Sequence, residues 1–223
     1  MSKNLNDLLK WSIENTVRPE DTPEGREAPG TAPTTNDIRT LDPELLKALM
    51  GGPSDAELMK AAMEVITSPD PEVTHDTRVT AFDNLEQLIE SLDNANNLSN
   101  LALWTPLVDL LSHAHPDFRR YAAWCVGTAV QNNAPSQEKF MVAGGVPKLV
   151  ELAAGDEETD DQVKRKAVYA LSSAVRNYQP AMDVAHQELG KRGLAGDREK
   201  VDATDMDAID EIMKGLRERL SKA

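Results

Sequence analysis

One hydrophobic pattern occurs three times in this chain, at spacings of 41 and 45 residues. In the middle copy Phe118, Tyr121, Ala122, Cys125, Val126, Ala129 and Val130 fall at the i, i+3, i+4, i+7, i+8 positions of one helix face. The third copy reads Val163, Ala167, Ala170, Leu171, Ala174, Val175, Tyr178, and the first reads Ala81, Phe82, Leu85, Leu88, Ile89, Leu92. Ala81 to Ala122 and Leu85 to Val126 are 41 apart, whereas Ala122 to Ala167 and Val126 to Leu171 are 45 apart, the excess falling in the acidic loop Glu157 to Asp160. A period of about 40 residues built only from helical pattern implies a stack of helical units, each covering the apolar face of its neighbour. Stacks of this kind present surfaces to partners far more often than they catalyse.

Composition supports the all-helical reading and limits the partners. Only 4% of the residues are aromatic against 40% apolar, so the core must rest on Leu, Ala, Val and Met, which suits close-packed helices better than sheets. A net charge of −14, from 38 acids against 24 bases, gives no attraction for phosphate backbones or anionic lipid. Neither nucleic acid nor a membrane is expected as a partner. Cys125 lies on the apolar stripe between Trp124 and Val126, which predicts a buried, inert thiol and rules out an internal disulfide. Met1 to Lys10 lacks the apolar run of a signal peptide, and no stretch reaches the roughly 18 apolar residues of a membrane span, so a reducing, cytoplasmic setting is expected.

Residues 1–15 read as a short amphipathic segment, with Leu5, Leu8, Leu9 and Ile13 on one side and Trp11 flanking them. Residues 16–40 carry Pro19, Pro23, Pro29 and Pro33 among polar residues and read as a disordered, flexible linker. Order is expected from Asp42-Pro43, with a first helix stopped by Gly51-Gly52-Pro53. Ser54 and Glu57 form a capping-box pattern for a second helix that turns Leu58, Ala61, Ala62, Val65 and Ile66 inward and ends at Pro69 and Pro71. A long helix from Asp76 to Leu92 leads into a polar knot, Asp93 to Asn97, and then a helix from Leu98 to Ser112 containing Pro106. Pro116 opens the next long helix, ending near Asn132-Asn133; Ser136 to Ala143 and Pro147 to Ala154 follow, broken by Gly144-Gly145. Short, medium and long helices in this order are the layout of an armadillo unit, so the stack, residues 41–189, is read as an armadillo-like α-solenoid. Residues 190–205 read as a loop, and 206–223 as a cap helix whose apolar side is Ile209, Ile212, Met213, Leu216 and Leu220.

No active site is legible. His113 and His115 lack a Cys or acid at ligand spacing and read as a solvated turn. Glu157-Glu158 and Asp160-Asp161 read as a solvated loop of like charges. No phosphate cradle, nucleophile elbow or zinc spacing occurs, so no cofactor or metal and no enzymatic activity are expected. What stands out is amide clustering after the long helices: Asn94, Asn96 and Asn97, then Asn132 and Asn133, then Asn177. Any one of these can be a helix terminator. As a ladder on one level of the stack, they also offer donors and acceptors to a partner. Trp104 reads either as core or as a binding anchor.

Together, Ala81-Phe82-Asp83-Asn84-Leu85, Leu88-Ile89-Glu90, Leu92-Asp93-Asn94-Ala95-Asn96-Asn97-Leu98, Leu103-Trp104 and Gly127-Thr128-Ala129-Val130-Gln131-Asn132-Asn133 closely resemble the armadillo-type nucleotide exchange factors of seventy-kilodalton heat-shock chaperones. Leu8-Leu9-Lys10-Trp11-Ser12-Ile13 looks like the start of the fungal members, the Fes proteins. The resemblance spans about residues 1 to 180. It implies a monomeric, non-enzymatic factor whose stack embraces one lobe of the chaperone's nucleotide-binding domain and loosens the nucleotide cleft. Carried over by motif, the partner face would comprise Asp93, Asn94, Ala95, Asn96, Asn97 and Trp104, with Asn132, Asn133, Arg176 and Asn177. The resemblance also implies that Leu5, Leu8, Leu9, Trp11 and Ile13 act as a client mimic for the chaperone's peptide groove. A helix docked on the protein's own body is the other reading of that segment. After Tyr178 the chain departs from the family pattern into a Gly-rich, charged segment and one helix, which implies a shorter grip. The rival to this functional reading is a generic armadillo scaffold holding an extended peptide.

Overall fold

The computed structural model describes residues 52–196 and 199–220, and among them every regular element is a helix. The expected helix at Asp42 and the amphipathic segment and linker before it lie outside the described residues. Among the described residues ten helices follow one another: α1 Asp55–Thr67, α2 His75–Ile89, α3 Leu92–Asn100, α4 Trp104–Leu110, α5 Pro116–Val130, α6 Ala134–Val142, α7 Gly145–Ala154, α8 Asp161–Val175, α9 Gln179–Gly190 and α10 Met206–Leu220. The three copies of the hydrophobic pattern fall on the long helices α2, α5 and α8, save Leu92, which opens α3, and Tyr178, which caps α9, and α5 packs between the other two.

Local signals set most of the boundaries. Ser54 and Glu57 form a full capping box at α1, and Pro69 and Pro71 follow its end at Thr67. Asp160 caps α8 by accepting the amide N–H groups of Gln162 and Val163. Gly144, at φ 76°, makes the left-handed turn between α6 and α7 that a Cβ would strain.

Three expectations change. The helix expected from Leu98 to Ser112 is two helices, and the residues expected as a polar knot form most of α3. A proline inside a continuous helix clashes with the carbonyl four residues back, here Ala102. The chain breaks at that residue, with Ala102 at φ 56°, and Pro106 sits in the first turn of α4, where no N–H is required of it. In α1 the buried face is Met59, Ala62, Met63 and Ile66, while Leu58 is 40% exposed. Paired apolar residues such as Leu58-Met59 widen the stripe, and Leu58, Ala61 and Val65 instead line an open groove beside Thr77, Asn84 and Leu88 of α2. Finally, Glu158 is not solvated. It is buried and makes two bonds to Arg119, from Nε at 2.6 Å and Nη2 at 3.0 Å, so the extra residues of the third unit close over an ion pair.

The C-terminal segment is tied down. Asn177 N–H donates to Ala203 O at 2.8 Å, and Gln179 bridges Val201 O and Ala203 N–H. Ile209, Met213 and Leu216 are buried as α10 packs on α8.

Two contacts hold the third unit, one at its joint with the second and one between its own first and last helices. At Gly127 in α5, an added Cβ would stand 2.3 Å from the Tyr169 ring and 3.2 Å from the Ala170 Cα of α8, so the helices meet where there is no side chain. Gln137 of α6 is 2% exposed, and its Nε2 donates to Ser173 O, Ala174 O and Arg176 O, carbonyls left open at the end of α8. Gly127→Ala gains about 1 kcal/mol of helix propensity but overpacks at a cost of about 1–3 kcal/mol. Denaturant titration should show net destabilisation, much reduced in a Tyr169→Ala background. Gln137→Ala should cost about 1–3 kcal/mol by orphaning carbonyls. Gln137→Glu should cost more, because it sets a buried negative charge against a helix C-terminus.

Candidate partner-binding face

The apolar stripes of α2, α5 and α8 bury one side of each long helix, leaving a run of half-buried and exposed side chains on the other. Tyr121 and Trp124 of α5 meet with ring centroids 6.0 Å apart. Lys166 of α8 lies 4.0 Å from the Trp124 ring centroid and 5.7 Å from that of Tyr169. Arg120 stacks 4.9 Å from Tyr121 and donates from Nη1 to Gln162 Oε1 at 2.8 Å. Burial among these rings lowers the Lys166 ammonium below the ordinary lysine range, with the Arg120 charge adding to the effect and Glu86 opposing it. A cation held between aromatic rings, partly dehydrated, is a preformed contact for a partner acceptor or carboxylate.

At the C-terminal ends of α2 and α5 this run opens into a cleft of about 310 Å³ bordered by Glu90, Leu92, Ala95, Asn132 and Tyr169. Leu92 is 59% exposed, an apolar group at the rim of a polar cleft. Glu86, also at the cleft, is buried and accepts from Thr128 Oγ1 at 2.7 Å, which joins α2 to α5. Tyr169 OH lies 3.2 Å from Gln131 Oε1 and joins α5 to α8.

The sequence-predicted face divides into residues that reach this cleft and residues that hold the stack. Asn132 is exposed at the cleft, and Ala95 floors it while being 1% exposed. Asp93 is exposed in the first turn of α3. Asn96 is exposed and accepts from Ser136 Oγ at 3.3 Å. Asn94 is half-buried and occupied, donating to Asp55 Oδ2 at 2.8 Å and Leu88 O at 2.9 Å. Asn97 Oδ1 accepts from Asn100 within α3. Asn133 is buried and caps α6 through the Ser136 N–H, while its Nδ2 donates to Ala129 O and Ser136 Oγ. Trp104 is 5% exposed and packs on Phe140, 5.8 Å between ring centroids, so it is core and offers no anchor from the surface.

Arg176 is engaged by Asp210 of α10 and by Ser172 Oγ at 3.0 Å. Asn132 and Asn177, at φ 52° and 56°, are the left-handed residues that end α5 and α8. The amides therefore form no single ladder: several are spent on capping and on joints between units.

Sequence reasoning missed Trp124, Lys166 and Tyr169, and it assigned Tyr121 and Leu92 to the apolar stripe although Tyr121 is half-buried and Leu92 exposed. The repeat held the signal. Tyr121 to Lys166 and Trp124 to Tyr169 are both 45 apart, the same offset that relates the buried stripes. Burial foremost, with Glu86 and Asp83 nearby, pushes the Cys125 thiol far above the ordinary range, so it is no nucleophile.

Comparison with known proteins adds an independent line. The model of the family described as nucleotide exchange factor Fes1 matches residues 5–98, and that of the SIL1/FES1/HPBP1 C-terminal domain matches residues 94–194. The Hsp70 nucleotide exchange factor FES1 of Gibberella zeae is 58% identical over 220 residues, 98% of this chain and 98% of its own length. Its counterpart in Neurospora crassa is 53% identical over 247 aligned residues, 100% of both chains. Among solved structures, a designed armadillo repeat protein superposes with a TM-score of 0.51 at 16% identity, covering 79% of this chain and 68% of its own. An engineered protein gives a TM-score of 0.54 at 18% identity, covering 83% and 76%. These structural likenesses establish the armadillo-type fold alone. Matches running from residue 5 to residue 194, and relatives more than half identical along their whole length, place the chain in the Fes1 family of nucleotide exchange factors.

Proposed function

We propose that this protein is a nucleotide exchange factor for a cytosolic 70-kDa heat-shock chaperone: it binds the chaperone's nucleotide-binding domain, accelerates ADP release and thereby client release. The observation that carries the reading is the whole-length similarity to proteins named Hsp70 nucleotide exchange factors. The exposed face of the long helices supports it, with Trp124, Lys166 and Tyr169 leading to the cleft at Leu92 and Asn132. That face holds no group arranged for covalent chemistry, and exchange requires none. The factor must bind the open, nucleotide-poor chaperone more tightly than the closed ADP form, and by linkage ADP then weakens the factor's own binding. The protein acts as a monomer, by surface complementarity alone, with no bound cofactor.

Release of a fluorescent ADP analogue from the chaperone, followed after rapid mixing, measures the activity directly. Micromolar protein should raise the rate, and an unchanged rate overturns the reading. Leu92→Glu places a charge on an exposed rim residue and should slow exchange about tenfold, the size of one interface anchor, with unchanged thermal stability. Ala95→Arg should also block exchange. Because Ala95 is buried, circular dichroism on that variant must be read beside the rate. If binding to the chaperone proves independent of nucleotide, the protein is instead an armadillo scaffold for extended peptides.

We further propose that Leu5, Leu8, Leu9, Trp11 and Ile13 compete with clients for the chaperone's peptide groove, motivated by their apolar character ahead of a proline-rich tether. Replacing Leu8 and Leu9 together by Ser should slow client release while leaving ADP release unchanged. Equal loss of both would assign the segment to the exchange surface.

A further inference from the structure

Three of the chain's four histidines gather at the opposite ends of the long helices from the cleft, where the first turns of α2 and α5 meet. His75 opens α2, and His115 caps α5 beside Asp117. His75 Nε2 lies 3.1 Å from Asp117 Oδ2, and His115 Nδ1 lies 4.0 Å from the same oxygen. One ligand atom from each of these three residues falls within 4.8 Å of the others. From the geometry we infer that His75, His115 and Asp117 bind a divalent transition-metal ion of the zinc class. This goes beyond the exchange function and does not rest on it.

The donor chemistry selects the ion. Two imidazoles and one carboxylate suit zinc, cobalt or nickel, whereas calcium and magnesium demand oxygen donors. With bonds of about 2.0–2.1 Å in tetrahedral geometry, ligand atoms stand about 3.4 Å apart. The His75–Asp117 separation already matches, and His115 must swing inward by a small amount.

The room for that movement exists. The three side chains are 40%, 48% and 34% exposed for His75, His115 and Asp117, so an ion can enter and a water can complete its shell. Phe118 backs both rings, with His75 stacked on it at 5.4 Å and an 8° tilt, and His115 at 5.3 Å. His115 Nδ1 accepts the Asp117 amide N–H at 3.2 Å, so coordination exchanges one cap hydrogen bond for a metal bond.

Nearby cations oppose an incoming ion; two of the three are paired with carboxylates, and Arg78 keeps its charge while pointing its guanidinium at backbone carbonyls. Arg120 takes Asp117 Oδ1 at 3.0 Å and leaves Oδ2. Arg119 is neutralised by Glu158. Arg78 donates from Nη2 to Ser68 O at 2.7 Å. A bound ion would clip the first repeat to the second at the end of the joint away from the Thr128–Glu86 hydrogen bond.

The test is titration of the full, metal-free chain with Co²⁺ as an optical probe. Expected are one saturable site with the visible absorption of a low-coordinate cobalt centre, displacement by one equivalent of Zn²⁺, and a rise in unfolding temperature with Zn²⁺. His75→Ala and His115→Ala should each weaken binding by about tenfold or more, while His186→Gln leaves it unchanged. Asp117→Asn, which keeps the side-chain shape, should show the same loss should either alanine variant disturb the fold. Absence of saturable cobalt uptake in the full chain, or uptake equal in the His75, His115 and Asp117 variants, overturns the site.

Discussion

Everything on the exposed face depends on how closely the long helices approach one another, and that approach is set by missing side chains. Gly127 lets the Tyr169 ring and the Ala170 backbone of α8 lie directly against α5. Ala122, Ala123, Ala167 and Ala170 of the same two helices are all buried. Close spacing brings Lys166 within reach of Trp124, and Tyr169 within reach of Gln131. Wider helices would leave the same residues as separate exposed groups. The packing that stabilises the stack is therefore the packing that composes the surface.

The fold was legible because its cause is periodic. Each long helix needs an apolar face, the face recurs at helical spacing, and the helices recur at unit spacing, so three independent regularities agree. Capping signals such as Ser54 with Glu57 are local and read equally well. The break between α3 and α4 was missed although its signal is local: Asn is compatible with both helix and turn, and it is the Pro106 ring, which cannot share a continuous helix with the Ala102 carbonyl, that ends one helix and opens the next.

The site was legible in part, for the same reason in reverse. Surface residues obey no burial pattern, so Asn was noticed by its frequency. Frequency does not separate an amide that faces outward, such as Asn132, from one consumed by a cap, such as Asn133, although the two are adjacent. Trp104 shows the matching ambiguity in apolar residues, resolved by Phe140 covering it. Tyr121, Trp124, Lys166 and Tyr169 escaped because each looks ordinary alone, and they become a feature only when two helices are set side by side.

Arg119 and Glu158 are 39 residues apart, as are Lys148 and Asp109, while Thr128 and Glu86 are 42 apart, and each pair spans neighbouring units. For the two pairs with a buried carboxylate, loss of one partner strands the other, which for a buried charge is far costlier than never having had the pair. Neighbouring units must therefore drift in sequence together. For all their repetition they are not interchangeable parts: a unit excised and grafted elsewhere in the stack would carry one half of several bargains, and modularity here belongs to the backbone rather than to the sequence.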